Sequence, residues 1–143
     1  MYLIEKEPAY QLYQFTVYLY NQKENDFFER CNKQIIYRTL INRAYYSSYS
    51  IAEAWLLNNH GKSIISPKKF KQRGEKIKSV HAQVRILLEE FNHKKISSKL
   101  MRLQELRGKA DYELYHYLSD DELNEAIKLM KYVVNNLKNM EEK

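Results

Sequence analysis

The residues best suited to chemistry lie in the segment from 103 to 116, which reads LQELRGKADYELYH. Arg107 and Asp111 are four residues apart, so on a helix they share one face. Their spacing fits either an ion pair across one helical turn or a polar site at a cleft. His116 comes nine residues after Arg107. Nine residues of continuous helix rotate by about 900°, so a helix unbroken near Tyr112 turns His116 away from Arg107.

A second informative segment covers residues 43–54 and reads RAYYSSYSIAEA. Its small and apolar residues recur at helical spacing, which predicts a core-facing helix. Ala44, Ser48 and Ala52 line that stripe and leave room for another backbone to approach. The aromatic residues beside them predict a tight contact with a second helix.

Arg43 and Tyr46 of this segment have two interpretations that the sequence leaves open. Arg43 is either a helix-surface charge whose stem covers apolar neighbours or part of a polar groove. In the second case Arg43 and Tyr46 meet the three residues of the later segment. Those three are Arg107, Asp111 and Tyr112.

Composition predicts one all-α domain. The chain has 143 residues, of which 44% are hydrophobic, with only 3 Gly and 2 Pro. That length allows a substantial core, and the shortage of turn residues argues against an all-β fold. A single cysteine, Cys31, excludes an intramolecular disulfide and a multi-cysteine metal site. The sequence also contains no Gly-rich phosphate loop and no metal-spaced His/Cys cluster, so we predict no metal and no cofactor. The N-terminus lacks a signal-peptide pattern and no run of residues is long enough to span a bilayer, which predicts a cytoplasmic protein without a membrane partner.

Apolar stripes predict five helices, over about residues 8–21, 26–58, 79–91, 97–113 and 120–138. The 40–57 and 97–113 segments are expected to pack together. A straight second helix would be about 50 Å long, so we expect a bend or break within 32–39. Gly61 can end it in a left-handed conformation, and Ser79 can cap the third helix. Ser119 and Glu122 form a capping box at the start of the last helix.

The net charge is +6 and the pI is about 9.2, which permits a polyanionic partner. Seven cations fall between 62 and 78 against one acid, Glu75. They form either a solvated connector or a nucleic-acid contact with Lys68, Lys69 and Lys71 as RNA-binding residues. The seven are Lys62, Lys68, Lys69, Lys71, Arg73, Lys76 and Lys78.

Three features in order resemble the HEPN superfamily, most closely its small single-domain prokaryotic branch. They are an early R-A-Y-Y helix, a middle helix opening near His81, and a late L-x-x-L-R-x-x-A-D-Y helix. The resemblance covers about residues 25–138. It implies an up-and-down helical bundle, a homodimer with a shared cleft, RNA as a partner, and a cognate antitoxin or nucleotidyltransferase.

Catalytic HEPN proteins carry an arginine followed, after four to six residues, by a histidine, and they cleave RNA without a metal. The resemblance implies that Arg107 binds the phosphate, with Asp111 beside it. Tyr112 stands where the histidine would follow a four-residue spacer, and a phenol is a poor base at neutral pH. For His81, a capping or packing role is favoured over catalysis.

The resemblance thus implies an RNA-directed protein of a toxin–antitoxin or phage-defence system, with a degenerate ribonuclease motif. Whether the protein is an enzyme stays open. The alternative is a non-catalytic helical module that binds a nucleotide or a protein partner.

Overall fold

The computed structural model describes residues 2–25, 32–65, 68–69 and 79–141. Five helices follow a short 3-10 turn, and the described residues contain no strand. The predicted all-α bundle of about five helices is confirmed. No helix within these ranges is both long enough and apolar enough to cross a bilayer. The helices are α1 (Pro8–Asn21), α2 (Lys33–His60), α3 (Val80–Glu90), α4 (Lys94–Tyr112) and α5 (Asp120–Glu141).

Helix α2 is the centre of the bundle and contacts all four other helices. It begins after Asn32, whose side-chain oxygen accepts a hydrogen bond of 2.8 Å from the Gln34 amide. The predicted helix over 26–58 is thus described only from Lys33, because Asn32 is extended and residues 26–31 lie outside the described ranges. The helix ends at Gly61, whose φ of 63° is the left-handed conformation that the sequence predicted.

The predicted contact between the 40–57 and 97–113 segments is present where α2 crosses α4. Ala44, Ser48 and Ala52 are fully buried in the core. The Ser48 hydroxyl donates to the Ala44 carbonyl at 2.7 Å, so the polar atom needs no partner outside its own helix. Tyr49 adds a link between the helices, since its hydroxyl donates to the Leu100 carbonyl at 3.3 Å.

Helix α4 begins at Lys94, one turn before the predicted start near Ser97. The reason is a sharp reversal of the backbone at Asn92, which has a φ of 67° and lets the next helix follow α3 at once. No side chain caps this start, so the sequence gives no signal for it. Ser97 does not start the helix. It is buried within it and donates to Glu89 on α3 at 2.9 Å.

The C-terminal end of α4 is held by an arginine of α2. Arg38 Nη1 donates to the carbonyls of Ala110 at 2.7 Å and Lys109 at 3.1 Å. Its Nη2 reaches beyond the helix to the carbonyl of Leu114 at 3.3 Å. The Lys109 carbonyl also accepts from the Glu113 amide at 3.3 Å, so it is the Ala110 carbonyl that depends on Arg38. The positive charge of Arg38 suits the negative end of the helix dipole. Arg38 therefore supplies the helix stop that neither Gly nor Pro marks in the sequence.

The predicted capping box at the start of α5 is present. The Ser119 amide donates to Glu122 at 3.1 Å, and the Glu122 amide donates to the Ser119 hydroxyl at 3.1 Å. His116 lies in the preceding turn, with its Nε2 3.0 Å from a Glu122 oxygen. The break after Tyr112 thus directs His116 to α5 and not to Arg107.

Candidate functional site

Arg107 lies where α4 faces the tyrosines of α2. Its Nη2 donates to the Tyr46 hydroxyl at 3.0 Å, and its Nε lies 2.7 Å from an oxygen of Asp111. The ring of Tyr112 is centred 5.0 Å from the guanidinium carbon. Four predicted site residues are therefore brought together in one place. We call this group, Tyr46, Arg107, Asp111 and Tyr112, the arginine site.

The Asp111 carboxylate is held from both helices. The same oxygen that lies beside Arg107 accepts a hydrogen bond of 2.9 Å from Asn42 of α2. Sequence reasoning missed Asn42, although its spacing from Arg38 and Tyr46, four residues each way, puts all three along one side of a helix. Asn42 fixes the carboxylate, and the carboxylate in turn fixes the arginine.

Some N–H groups of the Arg107 guanidinium have no hydrogen-bond acceptor among the described residues. Its Nε is buried and close enough to Asp111 for an ion pair, but the N–H is not aligned on that oxygen for a hydrogen bond. No acceptor for its Nη1 is found within the described ranges. An arginine held at one edge with donors remaining at the other is suited to binding an oxyanion such as a phosphate.

His81 of α3 completes the site from a third helix. Ser79 caps α3, with its hydroxyl accepting from the Ala82 amide at 3.1 Å, and this places His81 in the first turn. The His81 Nδ1 is hydrogen-bonded to the Tyr45 hydroxyl. Tyr45 is fully buried, and Arg107 lies over its ring with the guanidinium carbon 5.0 Å from the centroid. Arg107 and His81 therefore contact the same tyrosine.

The surroundings of His81 favour its neutral form. Burial lowers the pKa of the imidazole, and the charges of Arg107 and Arg85 lower it further. The His81 ring also packs against Tyr49, with 4.3 Å between centroids. A half-buried, neutral imidazole beside a fixed arginine can accept a proton at neutral pH.

Arg85 is a second cation that sequence reasoning missed. Its Nη1 donates to the Tyr49 hydroxyl at 2.8 Å and is hydrogen-bonded to Gln104 of α4. The available signal is its position four residues after His81, which puts both side chains on one face of α3. Arg85 and Arg107 thus flank the histidine.

Other predicted residues do not join the site. Arg43 is exposed and, among the described residues, makes no hydrogen bond or ion pair. It follows Asn42 directly, and one residue of helix rotates by about 100°, so it faces away from α4. Lys68 and Lys69 are exposed, and among the described residues neither forms a hydrogen bond or an ion pair with the arginine site. Lys71 lies outside the described ranges.

Comparison with known protein families, curated proteins and solved structures finds no match to this chain.

Proposed function

We propose that this protein is a HEPN-type, RNA-directed component of a toxin–antitoxin or phage-defence system, with a metal-independent ribonuclease site. The observation that carries the proposal is the shared contact of Arg107 and His81 with Tyr45. This contact supports a site in which Arg107 binds a phosphate and His81 exchanges a proton. The histidine comes from α3 and takes the place of the one missing after Arg107.

The proposed reaction uses the 2′-hydroxyl of RNA as its own nucleophile. Arg107 Nη1 donates to a non-bridging phosphate oxygen and stabilises charge there. Neutral His81 takes the proton of the 2′-hydroxyl, whose oxygen then attacks the phosphorus. The bond to the 5′-oxygen breaks as the 2′,3′-cyclic phosphate forms. Tyr112 donates its phenolic proton to the departing 5′-oxygen, and proton exchange with water restores both side chains.

Asp111 and Tyr45 have positioning roles in this scheme. Asp111, held by Asn42, fixes the orientation of Arg107. The Tyr45 hydroxyl fixes the His81 ring, because it is hydrogen-bonded to Nδ1 and lies 3.3 Å from Nε2. Tyr45, Asn42 and Asp111 therefore act through their neighbours.

We also propose a homodimer with the arginine sites of both protomers beside the two-fold axis. The exposed rings of Tyr46 and Tyr112 flank Arg107 and offer a surface that a symmetric partner can cover. Light scattering at micromolar concentration tests this arrangement. A dimer that becomes a monomer in Tyr46→Glu supports it, and a wild-type monomer contradicts it.

Substitutions in the arginine site test the proposed reaction. Arg107→Ala should abolish RNA cleavage and any toxicity in cells while most non-specific RNA binding remains, because one cation among many adds little to overall attraction. Arg43→Ala is the matched control, since it removes an exposed arginine from the same bundle without touching the site. Tyr112→Phe removes only the hydroxyl and should slow cleavage. Cleavage that survives both Arg107→Ala and Tyr112→Phe contradicts the assignment.

A further inference from the structure

Arg85 of α3 joins three helices beside His81. Its Nη1 donates to the Tyr49 hydroxyl of α2 at 2.8 Å and is also hydrogen-bonded to the side-chain oxygen of Gln104 on α4. The Tyr49 hydroxyl lies 3.3 Å from the same Gln104 oxygen, which closes a small network of three side chains. Because each member contacts the other two, Arg85 fixes the position of Tyr49.

The Tyr49 ring packs directly against the imidazole of His81. The two ring centroids are 4.3 Å apart, and the ring planes are inclined by 33°. The Tyr45 ring meets the same imidazole edge-on, with 4.8 Å between centroids. Tyr49 is buried in a close-packed core, so its ring cannot move away without disturbing its neighbours. By fixing Tyr49, Arg85 therefore limits the orientation of the His81 ring.

The positive charge of Arg85 is not offset by a carboxylate. Within the described part of the chain Arg85 forms no ion pair, whereas Arg107 is paired with Asp111 at 2.7 Å. Glu89 lies one turn further along α3, but its carboxylate accepts a hydrogen bond from Ser97. Arg85 is half-buried, where an unpaired charge acts on its neighbours more strongly than it does in bulk water.

Arg85 and Arg107 are the charged groups that act on His81 among the described residues. Burial lowers the pKa of the imidazole most, and Arg107 and then Arg85 lower it further. Uncharged phenols make up the remaining ring contacts of His81. These phenols belong to Tyr45, Tyr46 and Tyr49 of α2.

The two arginines differ once a phosphate is bound. A phosphate held by Arg107 offsets the charge of that arginine and places a negative charge near His81, which favours the imidazolium. Arg85 forms no hydrogen bond or ion pair with the arginine site among the described residues, so its own charge stays available. Arg85 is then the cation that opposes protonation of His81.

We propose that Arg85 is a positioning residue for the reaction at the arginine site, which holds His81 through Tyr49 and keeps its imidazole neutral while a phosphate is bound. The inference rests on the proposed function, in which neutral His81 takes the proton of the 2′-hydroxyl. Arg85 acts through Tyr49 and through its charge, and not by contact with the reacting atoms.

The first measurement is an NMR titration of the His81 imidazole in the full-length protein, which requires no RNA. The chain contains 4 histidines, so the His81 signal is assigned by its loss in His81→Asn. Arg85→Met removes the charge but keeps an unbranched apolar side chain, and His81 should then titrate at a higher pH than in the wild type. Arg85→Lys keeps the charge and should titrate close to the wild type.

A second variant tests the charge while Arg85 stays in place. Gln104→Glu has nearly the same shape as the wild type and places a carboxylate beside Arg85, which offsets its charge. His81 should again titrate at a higher pH. Arg43→Met removes an exposed arginine from α2 and is the control, with no change expected.

The second measurement is the rate of RNA cleavage as a function of pH. Arg85→Met should lose more activity at about pH 6 than at about pH 8, because less of the imidazole is then neutral in mild acid. A residue with only a structural role would slow cleavage equally at both values. Equal slowing would therefore overturn the inference.

The two measurements distinguish failure of the inference from failure of the proposed function. If His81 titrates as in the wild type in both Arg85→Met and Gln104→Glu while the wild type cleaves RNA, the role of Arg85 is wrong and the proposed function stands. If the titration moves as expected but the wild type leaves RNA intact, the link between Arg85 and His81 holds and the proposed function is wrong.

Discussion

His81 is hydrogen-bonded through Nδ1 to the hydroxyl of Tyr45, across the contact between α3 and α2. The guanidinium of Arg107 also lies over the Tyr45 ring. One buried side chain therefore contacts both Arg107 and His81, which are distant in the sequence. A motif search along α4 cannot find this histidine, because a different helix supplies it. In the proposed reaction, His81 is the proton acceptor that the sequence directly after Arg107 lacks.

The stability of the fold should decrease in mild acid. Burial lowers the pKa of His81 and, with the charge of His60, that of His93. The contribution of the two histidines to the free energy of unfolding is complete above their unfolded-state pKa of about 6.5. It is lost as the pH falls through their pKa values in the folded state, because the unfolded chain then binds more protons. Urea denaturation between about pH 5 and pH 8 should show this decrease. In His81→Asn the decrease should be smaller, and an unchanged pH dependence would contradict the role of burial.

Arg38→Ala should destabilise the protein by about 2 kcal/mol or more. The change removes a charged donor from the Lys109 and Ala110 carbonyls at the end of α4. A buried carbonyl that loses its hydrogen-bond partner destabilises the folded state. Thermal or chemical denaturation measures the loss. Arg43→Ala, five residues away and exposed on the same helix, should have little effect. Equal stability of the two variants would show that Arg38 does not hold the helix end.

Ala44→Leu should destabilise the fold by about 1–3 kcal/mol through overpacking. Ala44 is fully buried in α2, which packs against α4, so the three further carbon atoms of Leu must be accommodated inside the core. Ser50→Leu, at an exposed position of the same helix, is the control. The midpoint of thermal unfolding reports both changes, and an unaltered midpoint in Ala44→Leu would mean that this position is not tightly packed.

Neutralising Lys68, Lys69 and Lys71 together should weaken RNA binding for all sequences and flatten its dependence on salt. Each lysine that contacts a phosphate releases a counterion on binding, so its loss reduces the slope of affinity against salt. The measurement is the RNA dissociation constant over a salt series. An unchanged slope would show that the segment is a solvated connector, the other interpretation of its charge.

The sequence predicts the fold better than the site. Apolar stripes, the Ser79 cap, the Gly61 stop and the Ser119–Glu122 capping box are local signals, and each is present in the structure. The predicted end of α4 near residue 113 lies one residue from the observed end at Tyr112, but no local signal marks either end of this helix. Its start depends on a left-handed Asn92, and its end depends on Arg38, which lies more than 70 residues earlier.

The site was predictable only where it is local to one helix or carried by the family resemblance. Arg107 and Asp111 are one turn apart, and Tyr46 and Tyr112 belong to the two motifs. Asn42, Arg85 and the contact of His81 with Tyr45 depend on how three helices pack, which a single sequence does not specify. Of the two interpretations left open for Arg43, the structure favours the helix-surface charge, because the residue is exposed on α2.

The most direct test of the account is RNA cleavage in EDTA by wild-type protein and His81→Asn, with the new RNA ends identified. His81→Asn keeps a side chain of similar polarity but removes the titrating nitrogen. We expect the wild type to leave 2′,3′-cyclic phosphate ends. His81→Asn should cleave at least about 100-fold more slowly than the wild type, while its RNA binding is retained. Wild-type protein that leaves RNA intact, or His81→Asn that cleaves at the wild-type rate, would contradict the central claim.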